Sequence, residues 1–205
     1  MRKTVVEMPP FYVMEVLELA EELERSGNSI IHLEVGELDI PTPQYIRDAG
    51  IQAISEGKTG YTSSTGIKEL REAISEDYEK RYGVYVSPEQ IIVADGSSPG
   101  LLLTFSVLLE EGDEAILSDP CYACYPNMIT FLGCKPVFIE VYEEDSFQFK
   151  LADIEQKLNP RVKAVVINSP ANPTGHLLNS DVMKKIAELG PTIISDEIYH
   201  GLVYG

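Results

Sequence analysis

The residues best suited to chemistry follow the last apolar run of the chain. Residues 192–194 form that run, and Asp196 and Tyr199 come within the next turn. A buried carboxylate is costly unless it is paired, so an aspartate that ends an apolar strand predicts a cationic partner or a helix N-cap. Asn172 lies one strand–helix unit earlier, in a turn that prolines stiffen. Together these side chains predict a cofactor site with a carboxylate at one end.

A loop of small residues is the candidate for binding an anion. Gly96, Ser97 and Ser98 lie directly before a predicted helix. Small residues let the backbone approach an anion, and the amides and dipole of a helix N-terminus favour phosphate. Pro99 suits the first turn of such a helix. The alternative is an ordinary strand–turn–helix connection in which a serine caps the helix.

A third loop, residues 119–126, carries an aromatic ring and two cysteines. The ring of Tyr122 could lie flat against a planar ligand, or it could pack in the core. Cys121 and Cys124 have the spacing of a redox or zinc pair, but zinc requires four ligands, and only Cys134 and a histidine could complete the set. Three clustered cysteines are too few for a disulfide framework, so packing is the favoured interpretation.

An alternation of strands and helices must position these loops. Helical patterns occur at residues 11–25, 44–55 and 67–82, and strand patterns at residues 91–94, 115–118, 137–141, 162–168 and 192–195, with further helices between the strands. Such apolar strands predict an α/β fold, with a mostly parallel sheet flanked by helices and an N-terminal helical segment. In these sheets ligands bind beyond the carboxyl ends of the strands, where the three loops lie.

Length and charge narrow the function classes. The 205 residues suffice for one well-buried domain. The net charge is −17, from 33 acidic and 16 basic residues. This charge argues against nucleic acid or an anionic membrane as a partner, because both require basic patches. No apolar run approaches the length of a membrane span. We therefore expect a soluble cytoplasmic protein.

Six motifs in register make the chain resemble one enzyme family. They are Val35-Gly36-Glu37-Leu38-Asp39-Ile40-Pro41-Thr42-Pro43, Gly60-Tyr61-Thr62-Ser63-Ser64-Thr65-Gly66, Gly96-Ser97-Ser98, Tyr122, Asn172-Pro173-Thr174-Gly175 and Asp196-x-x-Tyr199. In this order and spacing, from about residue 11 to residue 199, the chain resembles the fold-type I pyridoxal-phosphate (PLP) enzymes of aminotransferase class I/II. The resemblance implies their large domain, PLP as cofactor, and amino transfer between an α-amino acid and a 2-oxo acid.

The resemblance also implies roles around the cofactor ring. Asp196 would bond the pyridine nitrogen and keep it protonated. Asn172 and Tyr199 would bond the phenolic oxygen of the ring. Tyr122 would stack on the ring face. These roles match the carboxylate, amide, phenol and aromatic ring that the strand-end loops provide.

Further roles concern the phosphate and the substrate. Gly96, Ser97 and Ser98 would hold the phosphate through backbone or hydroxyl groups. Tyr61 would reach the phosphate of the neighbouring subunit's cofactor, which implies a homodimer. Gly36 would lie beside the carboxylate of the substrate. No metal ion is implied.

The chain departs from the family pattern in its lysines. The Schiff-base lysine of the family follows the Asp-x-x-Tyr element in a Ser-x-Ser-Lys context, and none of the lysines here stands in such a context. We therefore expect the catalytic lysine to lie beyond the chain end and the chain alone to be truncated and inactive. We expect residues 1–40 to belong to the small domain and residues 41–205 to form an incomplete PLP-binding large domain.

A different function class is the alternative. The chain could be a non-catalytic remnant or an interaction module that keeps the site for the PLP phosphate. The topology of the family implies that two core strands are missing between residues 91–94 and residues 192–195, and exposed strand edges are aggregation hazards. We therefore expect a homodimer or a complementing C-terminal half as partner. The sequence leaves the amino donor undefined.

Overall fold

A computed structural model describes residues 3–6, 8–36 and 40–204. The helices are α1 Lys3–Val6, α2 Tyr12–Arg25, α3 Gln44–Ser55, α4 Lys68–Tyr82, α5 Ser97–Leu108, α6 Cys124–Phe131, α7 Leu151–Lys157 and α8 Ser180–Ala187. The strands are β1 Glu114–Asp119, β2 Lys135–Glu140, β3 Val162–Asn168 and β4 Thr192–Asp196. These elements form two compact units, one of Met1–Phe11 and Gly96–Gly205, the other of Tyr12–Asp95.

The first unit is built on a four-stranded sheet in the order β2-β1-β3-β4. All neighbouring strands are parallel. Each connection between consecutive strands contains one helix, α6, α7 or α8. Because the strands are parallel, their carboxyl ends meet at one edge of the sheet. At that edge Asn168 of β3 and Asp196 of β4 are aligned as Cα partners.

Two hydrophobic layers cover the faces of the sheet, because alternate residues of the central strands point to opposite sides. On one face, Ala115, Leu117, Ala164 and Val166 pack with Leu101 and Phe105 of α5 and Tyr125 and Ile129 of α6. On the other face, Ile116, Val165 and Ile167 pack with Ile154 of α7 and Ile186 of α8. This arrangement confirms the predicted α/β fold with a parallel sheet flanked by helices.

The strand predicted at residues 91–94 is wrong. Within the described chain these residues join no sheet. Their pattern is apolar and β-branched, but a strand also needs a hydrogen-bonded neighbour. The backbone amide of Val93 donates instead to the carbonyl of Thr65, at 3.1 Å, inside the second unit. The segment therefore belongs with residues 12–95 and not with the sheet.

The second unit contains the helices predicted at residues 11–25, 44–55 and 67–82, which the structure confirms as α2, α3 and α4. Ser75 Oγ donates to the carbonyl of Val86 at 2.5 Å, and Arg71 Nη1 donates to the carbonyl of Pro88 at 2.7 Å. These bonds fasten α4 to the segment that follows it. The assignment of residues 1–40 to a small domain stays a prediction. Across the part of the chain that the structure describes, no helix is both long and apolar enough to cross a bilayer.

Candidate active site

The predicted site residues of the first unit lie at the end of β4, in the loops after strands, and at the start of α5. We call the group Gly96, Ser97, Ser98, Tyr122, Asn172, Asp196 and Tyr199 the strand-end site. Its members come from the start of α5, from the end of β4 and from the loops after β1, β3 and β4. Because the strands are parallel, the loops after β1, β3 and β4 meet at one edge of the sheet although their residues are far apart in sequence.

Asp196 ends β4, and its half-buried carboxylate is held from two sides. Its Oδ2 accepts a hydrogen bond from the hydroxyl of Tyr125, at 2.6 Å. Its Oδ1 accepts one from the backbone amide of Ile198, at 3.1 Å. The second bond closes an Asx turn, in which a side-chain oxygen accepts from the backbone amide two residues later. This turn takes the place of the helix cap that the sequence offered as an alternative. Each carboxylate oxygen keeps a lone pair for a ligand.

Asn172 and Tyr199 meet beside Asp196. The side-chain amide of Asn172 donates to the Tyr199 hydroxyl, at 3.3 Å. Asn168 sets this geometry, because its Oδ1 accepts from the backbone amide of Asn172 at 2.6 Å and its Nδ2 donates to the carbonyl of Asp196 at 3.0 Å. An amide and a phenol thus converge where a ligand oxygen could accept from both.

Tyr122 lies in the loop after β1, and its side chain reaches Ser98 at the start of α5. Its ring contacts that of Tyr125 edge to face, with centroids 5.4 Å apart. The neighbouring Cys124 thiol, followed by burial, raises the pKa of the Tyr122 hydroxyl to about 12, while Ser98 acts in the opposite direction. The hydroxyl is therefore protonated near neutral pH. Tyr122 therefore contacts both the ring of Tyr125 and Ser98 at the start of α5.

The candidate phosphate-binding residues Gly96, Ser97 and Ser98 lie at the start of α5, a helix of twelve residues. Gly96 is its N-cap residue, with φ +113, a conformation that favours glycine. Among the described residues, no side chain caps this helix end. The predicted alternative of a serine cap is therefore wrong, because Ser97 and Ser98 lie inside the first turn. The first amides of α5 are left for water or an anion.

Tyr61 and Gly36 belong to the second unit, residues 12–95. Tyr61 is fully exposed, and Gly36 is exposed. Residues 37–39, which complete the motif around Gly36, lie outside the described residues. The roles of Tyr61 and Gly36 stay predictions.

The cysteines are free thiols. Burial, and next the charge of Asp119, raises the pKa of Cys121 to about 11. A thiol with a raised pKa is a poor nucleophile and a poor metal ligand near neutral pH. Within the described ranges, no three His, Cys, Asp or Glu side chains are grouped so that they could hold a metal ion.

Tyr125 and Asn168 are site residues that the sequence interpretation missed. Tyr125 is 2% exposed and packs in the core, yet its hydroxyl reaches Asp196, 71 positions away. Nothing local marks such a long-range contact. Asn168 had a weak signal, since it is a polar residue that ends an otherwise apolar strand.

Comparison with known proteins gives the chain a family. The family model for aminotransferase class I and II matches residues 28–205. The (5-formylfuran-3-yl)methyl phosphate transaminase of Methanocaldococcus jannaschii is 46% identical over 202 residues, covering 98% of this chain and 52% of that protein. The aspartate aminotransferase of Geobacillus stearothermophilus is 39% identical, covering 99% of this chain and 53% of that protein.

Solved structures agree with this assignment. The aspartate aminotransferase from Thermus thermophilus with maleate has a TM-score of 0.96 and 36% identity, covering 100% of this chain and 55% of that chain. The chain spans about half the length of the curated relatives it matches. Aminotransferases of class I and II are in general PLP-dependent enzymes. The chain belongs to the class I and II aminotransferase family.

Proposed function

We propose that this chain provides the PLP-binding part of an aminotransferase that moves an amino group between an α-amino acid and a 2-oxo acid. The observation that carries the proposal is the convergence of Asp196, Asn172 and Tyr199 at the carboxyl edge of the sheet. When bound, PLP draws electrons from the substrate carbon that carries the amino group. The protein must hold the ring, its nitrogen and its phosphate in one orientation.

The donors and acceptors of the strand-end site fit the cofactor ring. Asp196 offers a carboxylate to the pyridine nitrogen, since its oxygens keep lone pairs beside the bonds from Tyr125 and Ile198. The amide of Asn172 and the hydroxyl of Tyr199, 3.3 Å apart, would donate to the phenolic oxygen. The half-buried ring of Tyr122 would stack on the cofactor.

The start of α5 fits the phosphate. Gly96 and the uncapped first turn would offer backbone amides, and Ser97 and Ser98 would add hydroxyl donors. We propose that Tyr61, an exposed phenol, reaches the phosphate in the partner subunit of a homodimer. We propose that Gly36 lies beside the substrate carboxylate.

Catalysis requires a lysine that these residues do not supply in the family context. Such a lysine would anchor the cofactor and would act as a general base toward the substrate. We propose that a further segment, a complementing C-terminal half, contributes it, and that residues 1–205 alone bind PLP without turnover. The second candidate is a non-catalytic module that keeps the PLP site. The same convergence of Asp196, Asn172 and Tyr199 supports it, because these side chains could hold PLP without a lysine.

The amino donor stays open. The relatives' names include transaminases for aspartate, for valine with pyruvate, and for an aldehyde phosphate. The cytoplasmic location expected from the sequence stays a prediction.

The test is a titration of the protein with PLP, followed through the visible absorption of the cofactor, then borohydride treatment and intact mass. Asp196→Ala should abolish saturable binding, because it removes the partner of the ring nitrogen. Asp181→Ala, an exposed aspartate of α8, is the matched control and should bind like the parent.

The outcomes of this titration separate the two candidate functions. A stable mass adduct in the native assembly would show that a lysine completes the site and would support an aminotransferase. Saturable binding without an adduct there would support the non-catalytic module. Absence of saturable binding by the parent, or parental binding by Asp196→Ala, would contradict the proposed site.

A further inference from the structure

Tyr125 is a buried tyrosine to which the family resemblance assigned no role. It is the second residue of α6, and its side chain is 2% exposed. The ring packs against the core layer of Phe105 and Ile129. Packing alone would be served equally by phenylalanine, so the hydroxyl needs its own explanation.

The hydroxyl has one polar partner that the structure identifies, the carboxylate of Asp196. The donor–acceptor distance is 2.6 Å, in the range of a strong bond to a charged acceptor. Burial, and next the bond to Asp196, raises the pKa of the Tyr125 phenol. The phenol therefore keeps its proton and acts as a donor to the carboxylate.

The bond restricts where Asp196 can point. Tyr125 holds Oδ2, and the amide of Ile198 holds Oδ1 at 3.1 Å. Core packing fixes the side chain of Tyr125, so its hydroxyl can hold the half-buried carboxylate of Asp196 in one orientation.

Tyr125 also contacts the stacking ring. Its own ring meets that of Tyr122 edge to face, with 5.4 Å between the centroids. One core residue thus touches both the group proposed to bond the ring nitrogen and the group proposed to cover the ring face.

We propose that Tyr125 is a positioning residue that orients Asp196 toward the ring nitrogen of PLP. The inference rests on the proposed function. Tyr125 touches the partner of the cofactor and not the cofactor itself, so its effect should depend on the ring nitrogen. A merely structural role would affect every ligand of the site alike.

The test uses two ligands and the apoprotein in its native assembly. One ligand is PLP, and the other is a deaza analogue in which a C–H group replaces the ring nitrogen. Tyr125→Phe removes the hydroxyl and keeps the ring. It should weaken PLP binding by roughly tenfold and change analogue binding by less than about twofold. The readout is the dissociation constant of the analogue divided by that of PLP, and Tyr125→Phe should lower this ratio.

Tyr142→Phe is the matched control. The Tyr142 hydroxyl also donates to a carboxylate, that of Glu140, but it lies exposed after β2. This variant should keep the parental ratio. Asp196→Asn should lower the ratio at least as far as Tyr125→Phe does.

Two results would overturn the proposal, and they are distinguishable. If Asp196→Asn lowers the ratio while Tyr125→Phe leaves it parental or weakens both ligands equally, Tyr125 has only a structural role and the proposed function stands. If the parent takes up no PLP, or Asp196→Asn keeps the parental ratio, the proposed function fails and the inference fails with it.

Discussion

The side-chain amide of Asn168 donates to the backbone carbonyl of Asp196 at 3.0 Å, where β3 and β4 end side by side. The same side chain accepts from the backbone amide of Asn172 at 2.6 Å. One asparagine therefore joins the ends of two strands to the turn that carries a proposed cofactor ligand. Its removal should affect both stability and binding.

Asn168→Ala should lower the free energy of unfolding by about 1–3 kcal/mol, because it leaves the half-buried amide of Asn172 without its acceptor. The Asp196 carbonyl would keep the longer bond from the Ser169 amide, at 3.3 Å. The substitution should also weaken PLP binding, since Asn172 and Asp196 lose their common support. Chemical unfolding and PLP titration measure the two effects. Asn28→Ala, which removes an exposed bond to the carbonyl of Leu23, is the control and should change neither. Parental stability of Asn168→Ala would contradict this role.

Gly66 allows a close approach inside the second unit. Its φ is +95, and a Cβ there would lie 2.7 Å from Cβ and Cγ2 of Val93. Gly66→Ala should therefore lower the free energy of unfolding by about 1–3 kcal/mol. Gly50→Ala is the control with the opposite sign, because Gly50 lies within α3 and, among the described residues, no heavy atom would lie within 4 Å of its Cβ. It should stabilise the protein by about 0.5–1 kcal/mol. Equal stability of both variants would exclude the clash.

Glu114 begins β1 as a buried carboxylate, 5% exposed. Asn159 Nδ2 donates to it at 2.8 Å, and Lys135 Nζ lies 3.4 Å away. The hydrogen bond from Asn159, aided by Lys135 and Arg161, lowers the pKa of Glu114 from its ordinary 4.5. Because the folded-state pKa is depressed, the stabilisation is complete above the unfolded-state pKa and is lost as the pH falls through the folded-state value.

Glu114→Gln should therefore be less stable than the parent at pH 7, and the difference should shrink as the pH falls below about 4.5. Unfolding by urea at a series of pH values measures it. Glu143→Gln, at an exposed acidic residue that begins a short 3-10 helix, is the control. A difference that stays constant or grows towards acid pH would contradict the assignment.

Cys121 should react slowly with iodoacetamide at pH 8. Its pKa of about 11, against an ordinary 9.0, lowers the thiolate fraction roughly a hundredfold. The rate should rise as the pH approaches 11, because the thiolate is the reactive form. Peptide mass mapping against time gives the rate, with a free cysteine peptide as reference. Rapid alkylation near neutral pH, or a reversible bond between Cys121 and Cys124, would revive the redox interpretation.

The sequence predicted the elements of the sheet well because each strand is a short apolar run between turn residues. β3 was predicted with its observed bounds, and α3 likewise. The segment at residues 91–94 has the same local pattern, but among the described residues it pairs with no strand. A local pattern carries no information on pairing. That is why this strand was predicted and is not observed.

The site could be predicted in part for a similar reason. Asp196, Asn172 and Tyr199 follow parallel strands, and topology alone brings such loops to one edge. Tyr125 could not be found this way, because its apolar surroundings predict packing and its bond to Asp196 spans 71 positions. Residues whose function depends on a distant partner become visible only in three dimensions.

The most direct test of the central claim is a crystal structure of the protein in complex with PLP. The account predicts the ring nitrogen within hydrogen-bond distance of Asp196, the phenolic oxygen between Asn172 and Tyr199, and the phosphate at the first turn of α5. A cofactor bound elsewhere on the protein, or one whose ring nitrogen faces away from Asp196, would contradict it.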